Sequence, residues 1–67
     1  MDEHLLRLEL ARQLKSLREA SHLTQEALAQ KVGTKQPSIA RLERGHSIPK
    51  LDLLERIAHA LRTRLEV

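Results

Sequence analysis

Every large apolar side chain available to this chain is unbranched by any ring: among 67 residues there is no Phe, Tyr, Trp or Cys, and 14 Leu and 7 Ala supply most of the hydrophobic surface. Leu and Ala are strong helix formers, and only two Gly and two Pro interrupt them, so helices packed on helices are favoured over a sheet. A chain of this length makes one domain at most and buries only about 60% of the surface its unfolded state exposes. Marginal stability is the expectation. The absence of cysteine removes disulfides, thiolate nucleophiles and sulfur-based zinc sites, which argues against a small secreted scaffold. The absence of Phe, Tyr and Trp removes the main stacking platforms on which single-stranded nucleic-acid binders lay bases. Met1-Asp2-Glu3-His4 is acidic and polar where a secretory signal is basic, and no apolar run approaches the roughly 20 residues of a membrane span. A soluble, cytoplasmic protein with no membrane partner is expected.

Periodicity divides the chain into four helical stretches. From Asp2 to about Ala20, Leu6, Leu10, Leu14 and Leu17 recur at helical steps on one stripe, with Arg7, Arg12, Lys15 and Glu19 opposite and Leu5 and Leu8 off it. After a short His22-Leu23 connection, Thr24 is placed to cap a second helix running from Gln25 to about Lys31, while Glu26 meets the positive end of its dipole. Gly33 supplies the left-handed residue that closes it. A third helix opens with Gln36 and Pro37, where a missing amide costs little, and ends at Gly45. Ile39 and Leu42 form its buried side, which leaves Gln36, Ala40, Arg41 and Arg44 pointing outward. The loop His46-Ser47-Ile48-Pro49 leads to a fourth helix from about Lys50 to Leu61, with Leu54, Ile57, Ala58 and Leu61 inward and Leu51 and Leu53 extending that face. Residues 62–67 change period, Arg64 and Glu66 alternating with Leu65 and Val67. That suits a short strand, which needs a second copy or residues outside this sequence to pair with. A frayed terminus is the plainer alternative.

The net charge is +3, yet Lys31, Lys35, Arg41, Arg44 and Lys50 are opposed only by Glu43, a net of +4 between residues 31 and 50. Such a segment is either an ordinary solvated face or the footprint of a polyanion site. His4, His22, His46 and His59 are too far apart in sequence for a helical metal pair, and no acid clusters with them, so no metal site is expected. No Ser, His and acid fall in a recognisable catalytic arrangement, and so small a helical domain has little room for a substrate cavity. Neither an enzyme nor a cofactor is expected.

Two short helices joined by a glycine-containing turn, inside a basic helical domain, meet the description of a helix-turn-helix. The spelling is more specific: Leu23-Thr24-Gln25-Glu26, Leu28-Ala29, Val32-Gly33, Gln36-Pro37-Ser38-Ile39, Leu42-Glu43-Arg44-Gly45 and Pro49, then Leu54, Ile57-Ala58 and Ala60-Leu61. Over about residues 10 to 61 this resembles the lambda-repressor/Cro family of helix-turn-helix DNA-binding domains, also called the xenobiotic-response-element family. The resemblance implies a compact all-α fold of four to five helices with the helix-turn-helix proper at 24–44; the chain reads as one domain over 1–67, with an amphipathic extension at 2–9 and a dimerising tail at 62–67 lying outside the match. Ala29 is small where the second helix should cross the third. Val32, Ile39 and Leu42 should fill the space between these helices and Leu14 or Leu17. Arg18 and Glu43 match positions that pair in several family members, tying the first helix to the third.

In this family the N-terminal part of the third helix meets base edges in the major groove. The resemblance therefore implies base contacts from Lys35, Gln36, Pro37, Ser38, Ala40 and Arg41. Gln36 has the amide that bonds adenine N6 and N7 together, and Arg41 the fork that fits guanine O6 and N7. Pro37 and Ala40 offer only apolar shape, and Pro37 departs from relatives that carry a polar residue there. Phosphate contacts fall to Gln25, Arg44, His46, Ser47 and Lys50, with Gln25 also bracing the first residue of the recognition helix. Lys31 reads as a solvated side chain.

The function implied is a sequence-specific, double-stranded DNA-binding repressor. A two-fold homodimer on a palindromic operator is expected, with half-sites about 10 base pairs or a multiple apart. The alternating tail is similar to that of antitoxins from bacterial toxin-antitoxin modules, which would add a toxin as partner and autoregulation as role. A stand-alone phage-type or metabolic repressor is the alternative, and a protein-interaction module that has lost DNA binding is a third.

Overall fold

Four α-helices account for most of residues 3–62, the part of the chain that the computed structural model describes: α1 (Glu3–Ala20), α2 (Gln25–Val32), α3 (Gln36–Glu43) and α4 (Leu51–Ala60). No strand occurs among the described residues, and the family-implied all-α architecture is the one found. Asp2, expected to open the first helix, and residues 63–67 of the alternating tail lie outside the described residues.

The helix ends show why the chain breaks where it does. Thr24 Oγ1 accepts from the Ala27 N–H at 3.0 Å and caps α2. At the other end Gly33 donates to Gln30 O and Thr34 to Ala29 O, at 3.3 and 2.9 Å. This double cap needs a left-handed residue, and Gly33 has φ 76°. The same pair of bonds closes α3, from Gly45 to Leu42 O and from His46 to Arg41 O, with Gly45 at φ 74°. Because those bonds reach back past Arg44, α3 stops at Glu43, two residues short of the expected Gly45. α1 closes identically on a residue that carries a side chain: His22 donates to Glu19 O and Leu23 to Arg18 O, with His22 at φ 59°.

α3 packs against both α1 and α2, and α4 packs on α2. Leu10, Leu14, Leu28, Ala29, Val32, Ile39, Leu42, Ile57 and Leu61 form one buried cluster, flanked by half-buried Leu17, Leu23, Leu53, Leu54 and Ala60. All four helices contribute to it. Ala29 is buried in this cluster, and α2 packs against both α3 and α4. Truncating Ile57 or Leu14, both fully buried, to Ala costs about 2–5 kcal/mol, a large share of what holds a small domain together.

Two side chains sit differently from their expected places. Leu51 does not extend the inner face of α4; it is 70% exposed. The core side of the first turn of α4 is taken by half-buried Leu53 and Leu54, which pack against the cluster. Arg7, expected on the solvated side of α1, is half-buried, and its Nε is buried without a hydrogen-bond partner among the described residues. That part of α1 lies over the Gly45 turn, where a Cβ on the glycine would come within 3.7 Å of Arg7 O and 3.0 Å of Leu8 Cδ2.

Candidate nucleic-acid interface

α3 is eight residues long and is gripped from two sides, so its surface divides sharply. Each residue turns it by about 100°. Ile39, Ala40 and Leu42 are buried and Glu43 is half-buried, while Pro37, Arg41 and Arg44 are exposed and Ser38 lies between. Ala40 thus does not point outward as expected; it is 7% exposed. A helix held by one neighbour hides a narrow stripe, whereas α1 and α2 together hide a wider arc that takes in Ala40.

Gln36 falls on the inner side by the same count, but it stands in the first turn, beyond the core, and is exposed. There it joins a continuous polar chain. Arg18 Nε and Nη2 donate to the two oxygens of Glu43 at 2.6 and 3.0 Å, and Arg18 Nη1 donates to Leu23 O at 2.7 Å. Gln25 Nε2 donates to Glu43 Oε1 at 3.1 Å, and Gln36 Nε2 donates to Gln25 Oε1 at 2.8 Å. Arg18 and Glu43 are only 12% and 3% exposed in their side chains. The hydrogen bond to Glu43 raises the Arg18 pKa above its ordinary value, against the opposing effect of desolvation. The ion pair was legible in the sequence through the family resemblance; the bond from Gln25 to Glu43 was not, because an amide meeting a carboxylate 18 residues away leaves no periodic trace.

Turning Glu43 inward changes the electrostatics of the whole segment. It is the one carboxylate between residues 31 and 50, and Arg18 neutralises it beneath the surface. Lys35, Arg41, Arg44 and Lys50 are all exposed, and none is in an ion pair among the described residues. Lys35 and Lys50 are the N-cap residues of α3 and α4, and neither caps its helix with its side chain. Exposed His46 and half-buried Ser47 lie in the loop between them. The described surface around α3 therefore carries cations with no compensating acid of their own segment, next to an amide held in place from below.

Elsewhere the surface is different in kind. Arg56 Nη1 donates to Val32 O at 2.9 Å, tying α4 to the end of α2; this satisfies a carbonyl that a helix end leaves open, and no local sequence signal announces it. An open groove of about 650 Å³ beside it is lined by Lys31, Asp52, Glu55 and Arg56 among others and draws nothing from α3. Its charges are of both signs. No three His, Asp or Glu side chains gather among the described residues in a way that could hold a metal ion.

The chain is 39% identical over 54 residues to an uncharacterized HTH-type transcriptional regulator of Mycobacterium tuberculosis strain CDC 1551, and equally to one of strain H37Rv. The match covers 81% of this chain and 39% of those proteins, so the chain spans about two fifths of their length. Its structure is similar to that of an HTH_3 family transcriptional regulator from Vibrio cholerae, with TM-score 0.87 and 32% identity over 94% of this chain and 35% of that one. It is also similar to the restriction-modification controller protein C.AhdI from Aeromonas hydrophila, with TM-score 0.89 and 28% identity over 96% and 93% of the two chains. Residues 14–67 match the HTH_3 helix-turn-helix family, and the chain belongs to this family of lambda-repressor/Cro-like domains.

Proposed function

We propose that the chain is a sequence-specific duplex DNA-binding domain of a transcriptional repressor. The observation that carries this reading is the outer side of α3: Lys35, Arg41, Arg44 and Lys50 are exposed and unpaired among the described residues around an amide braced from beneath. In the major groove Gln36 and Arg41 read base edges, Lys35 and Ser38 reach a base or a phosphate, and Pro37 packs against a thymine methyl. Gln25, Arg44, His46, Ser47 and Lys50 hold phosphates. Ala40 is left out, being buried.

An α3 of about 12 Å touches few base pairs, and the reading includes a homodimer on a two-fold operator with half-sites about 10 base pairs or a multiple apart. The similarity to C.AhdI, a restriction-modification controller protein, favours a regulator that acts without a toxin partner. A toxin partner, with residues 62–67 as the dimerising tail, is the rival; a second protein co-purifying with the chain and sharpening its DNA binding would replace the stand-alone reading.

Fluorescence anisotropy with the DNA upstream of the chain's own gene, repeated over a salt series, tests the proposal. Affinity should fall steeply as salt rises. Absent or salt-independent binding overturns the DNA reading. Within it, Arg41→Ala should lose about 1–3 kcal/mol of discrimination at one base pair, whereas Lys50→Ala should weaken all sequences alike and flatten the salt slope by about one unit.

A further inference from the structure

We infer that Glu43 is a positioning residue for base recognition: through Gln25 it fixes which way the Gln36 amide presents its donor and its acceptor. This rests on the DNA reading above and adds to it the origin of the polarity.

A carboxylate paired with a guanidinium accepts hydrogen bonds and donates none. Glu43 receives Arg18 Nε and Nη2, and its Oε1 also receives Gln25 Nε2 at 3.1 Å. An amide has one donating end and one accepting end. Binding the Gln25 nitrogen to Glu43 therefore turns Gln25 Oε1 toward α3. Gln36 has to meet that oxygen with its own nitrogen, as it does at 2.8 Å, because the opposite orientation sets two carbonyl oxygens against each other. Glu43 cannot turn away, since Arg18 is held on its other side by Leu23 O at 2.7 Å. A direction set beneath the surface, by a carboxylate 3% exposed, thus passes through two amides to a side chain open to solvent.

What remains at Gln36 is a second Nε2 hydrogen and a free Oε1, in fixed order. Adenine shows an N7 acceptor beside an N6 donor in the major groove, and guanine shows two acceptors. An amide of fixed order matches adenine in one strand sense and rejects both the swapped pair and guanine. An amide free to turn over distinguishes the two strand senses less. Arg18 and Gln25 supply the frame, but the acceptor-only chemistry belongs to Glu43.

Selection from a random duplex DNA library with the wild-type chain identifies its preferred sequence and the A·T pair that Gln36→Ala relaxes. Anisotropy then gives the ratio of affinities for that pair and for its T·A and G·C replacements, a ratio in which changes of overall affinity cancel. Glu43→Gln should lower it at least about fivefold at that pair alone, since a well-aligned amide pair discriminates by roughly that factor or more. Should Glu43→Gln not fold, Arg18→Met/Glu43→Gln leaves no unpaired buried charge and is read in the same way. A second readout needs no DNA: in proton–nitrogen spectra the Gln25 and Gln36 side-chain amide protons should be protected in the wild type and exchange freely in the double variant. An unchanged ratio, or unchanged Gln36 amide signals, overturns the inference. If the wild-type chain selects no sequence, the DNA reading fails, and the amide spectra alone decide whether Glu43 orients Gln36.

Discussion

Glu9 and Arg12 pair within α1, and Arg18 and Glu43 pair between α1 and α3; both pairs are forked, and both close to 2.6 Å at their shorter bond. Their surroundings differ. The side chains of Arg12 and Glu9 are 70% and 50% exposed, those of Arg18 and Glu43 12% and 3%. The exposed pair joins residues one helical turn apart that the backbone already holds together, in a solvent that screens their attraction. The buried pair joins two helices and is largely withdrawn from water, so either ion left alone has little solvation to fall back on. Equal geometry therefore has unequal consequences: what matters is what each group meets when its partner is taken away.

The largest effect should follow from breaking the buried pair on one side. Glu43→Gln strands the Arg18 charge, and a loss of about 3–5 kcal/mol is expected in denaturant unfolding; Arg18→Met/Glu43→Leu, which removes both charges, should recover most of it. A single variant as stable as the wild type would show that water reaches this junction. The Thr24 cap lies between the extremes, an exposed bond that opens the helix beneath α3. Thr24→Ala should cost about 1 kcal/mol by the same measurement. At His22, φ 59° strains any side chain, and His22→Gly should raise stability by about 0.5–1 kcal/mol, or some 4 °C in melting temperature per kcal/mol at the least. A lower melting temperature would mean that the imidazole makes a contact worth more than the strain. Smallest of all, Arg12→Gln should leave the melting temperature unmoved.

In both pairs the hydrogen bond to the carboxylate raises the guanidinium pKa. The hydrogen bond from Arg12 lowers the Glu9 pKa from its ordinary value, so that pair is complete above the ordinary value and is lost only as pH falls below it. The Arg18 pKa is raised, so its side of the buried pair persists through neutral pH and is lost only as pH climbs beyond the guanidinium range.

Features that act over one turn of chain were legible in the sequence. Thr24, Gly33 and Gly45 each do locally what their residue type permits, and they mark where helices begin and end. Features set by the number of neighbours were not. Ala40 and Leu51 both follow from how many helices press on α3 and on α4, and no periodicity within eight or ten residues contains that number. The left-handed turn at His22 escaped because its usual signal is glycine. Gln25, Gln36 and Glu43 were each singled out through the family resemblance, yet the order of their bonds emerges only once α1, α2 and α3 are docked.

The aliphatic core has a consequence for how α3 is aimed. Leu, Ile, Val and Ala attract one another without preferring an angle, and cores of this kind tolerate exchange of one aliphatic for another as long as volume is kept. The core cluster itself contains no polar residue to add direction from the middle. Direction enters at the two ends of α3, from the amide of Gln36 at its start and from Glu43 and the Gly45 turn at its finish. Cohesion and aim are thereby assigned to different residues. Repacking the leucines should alter the temperature at which the molecule melts well before it alters where the recognition helix points.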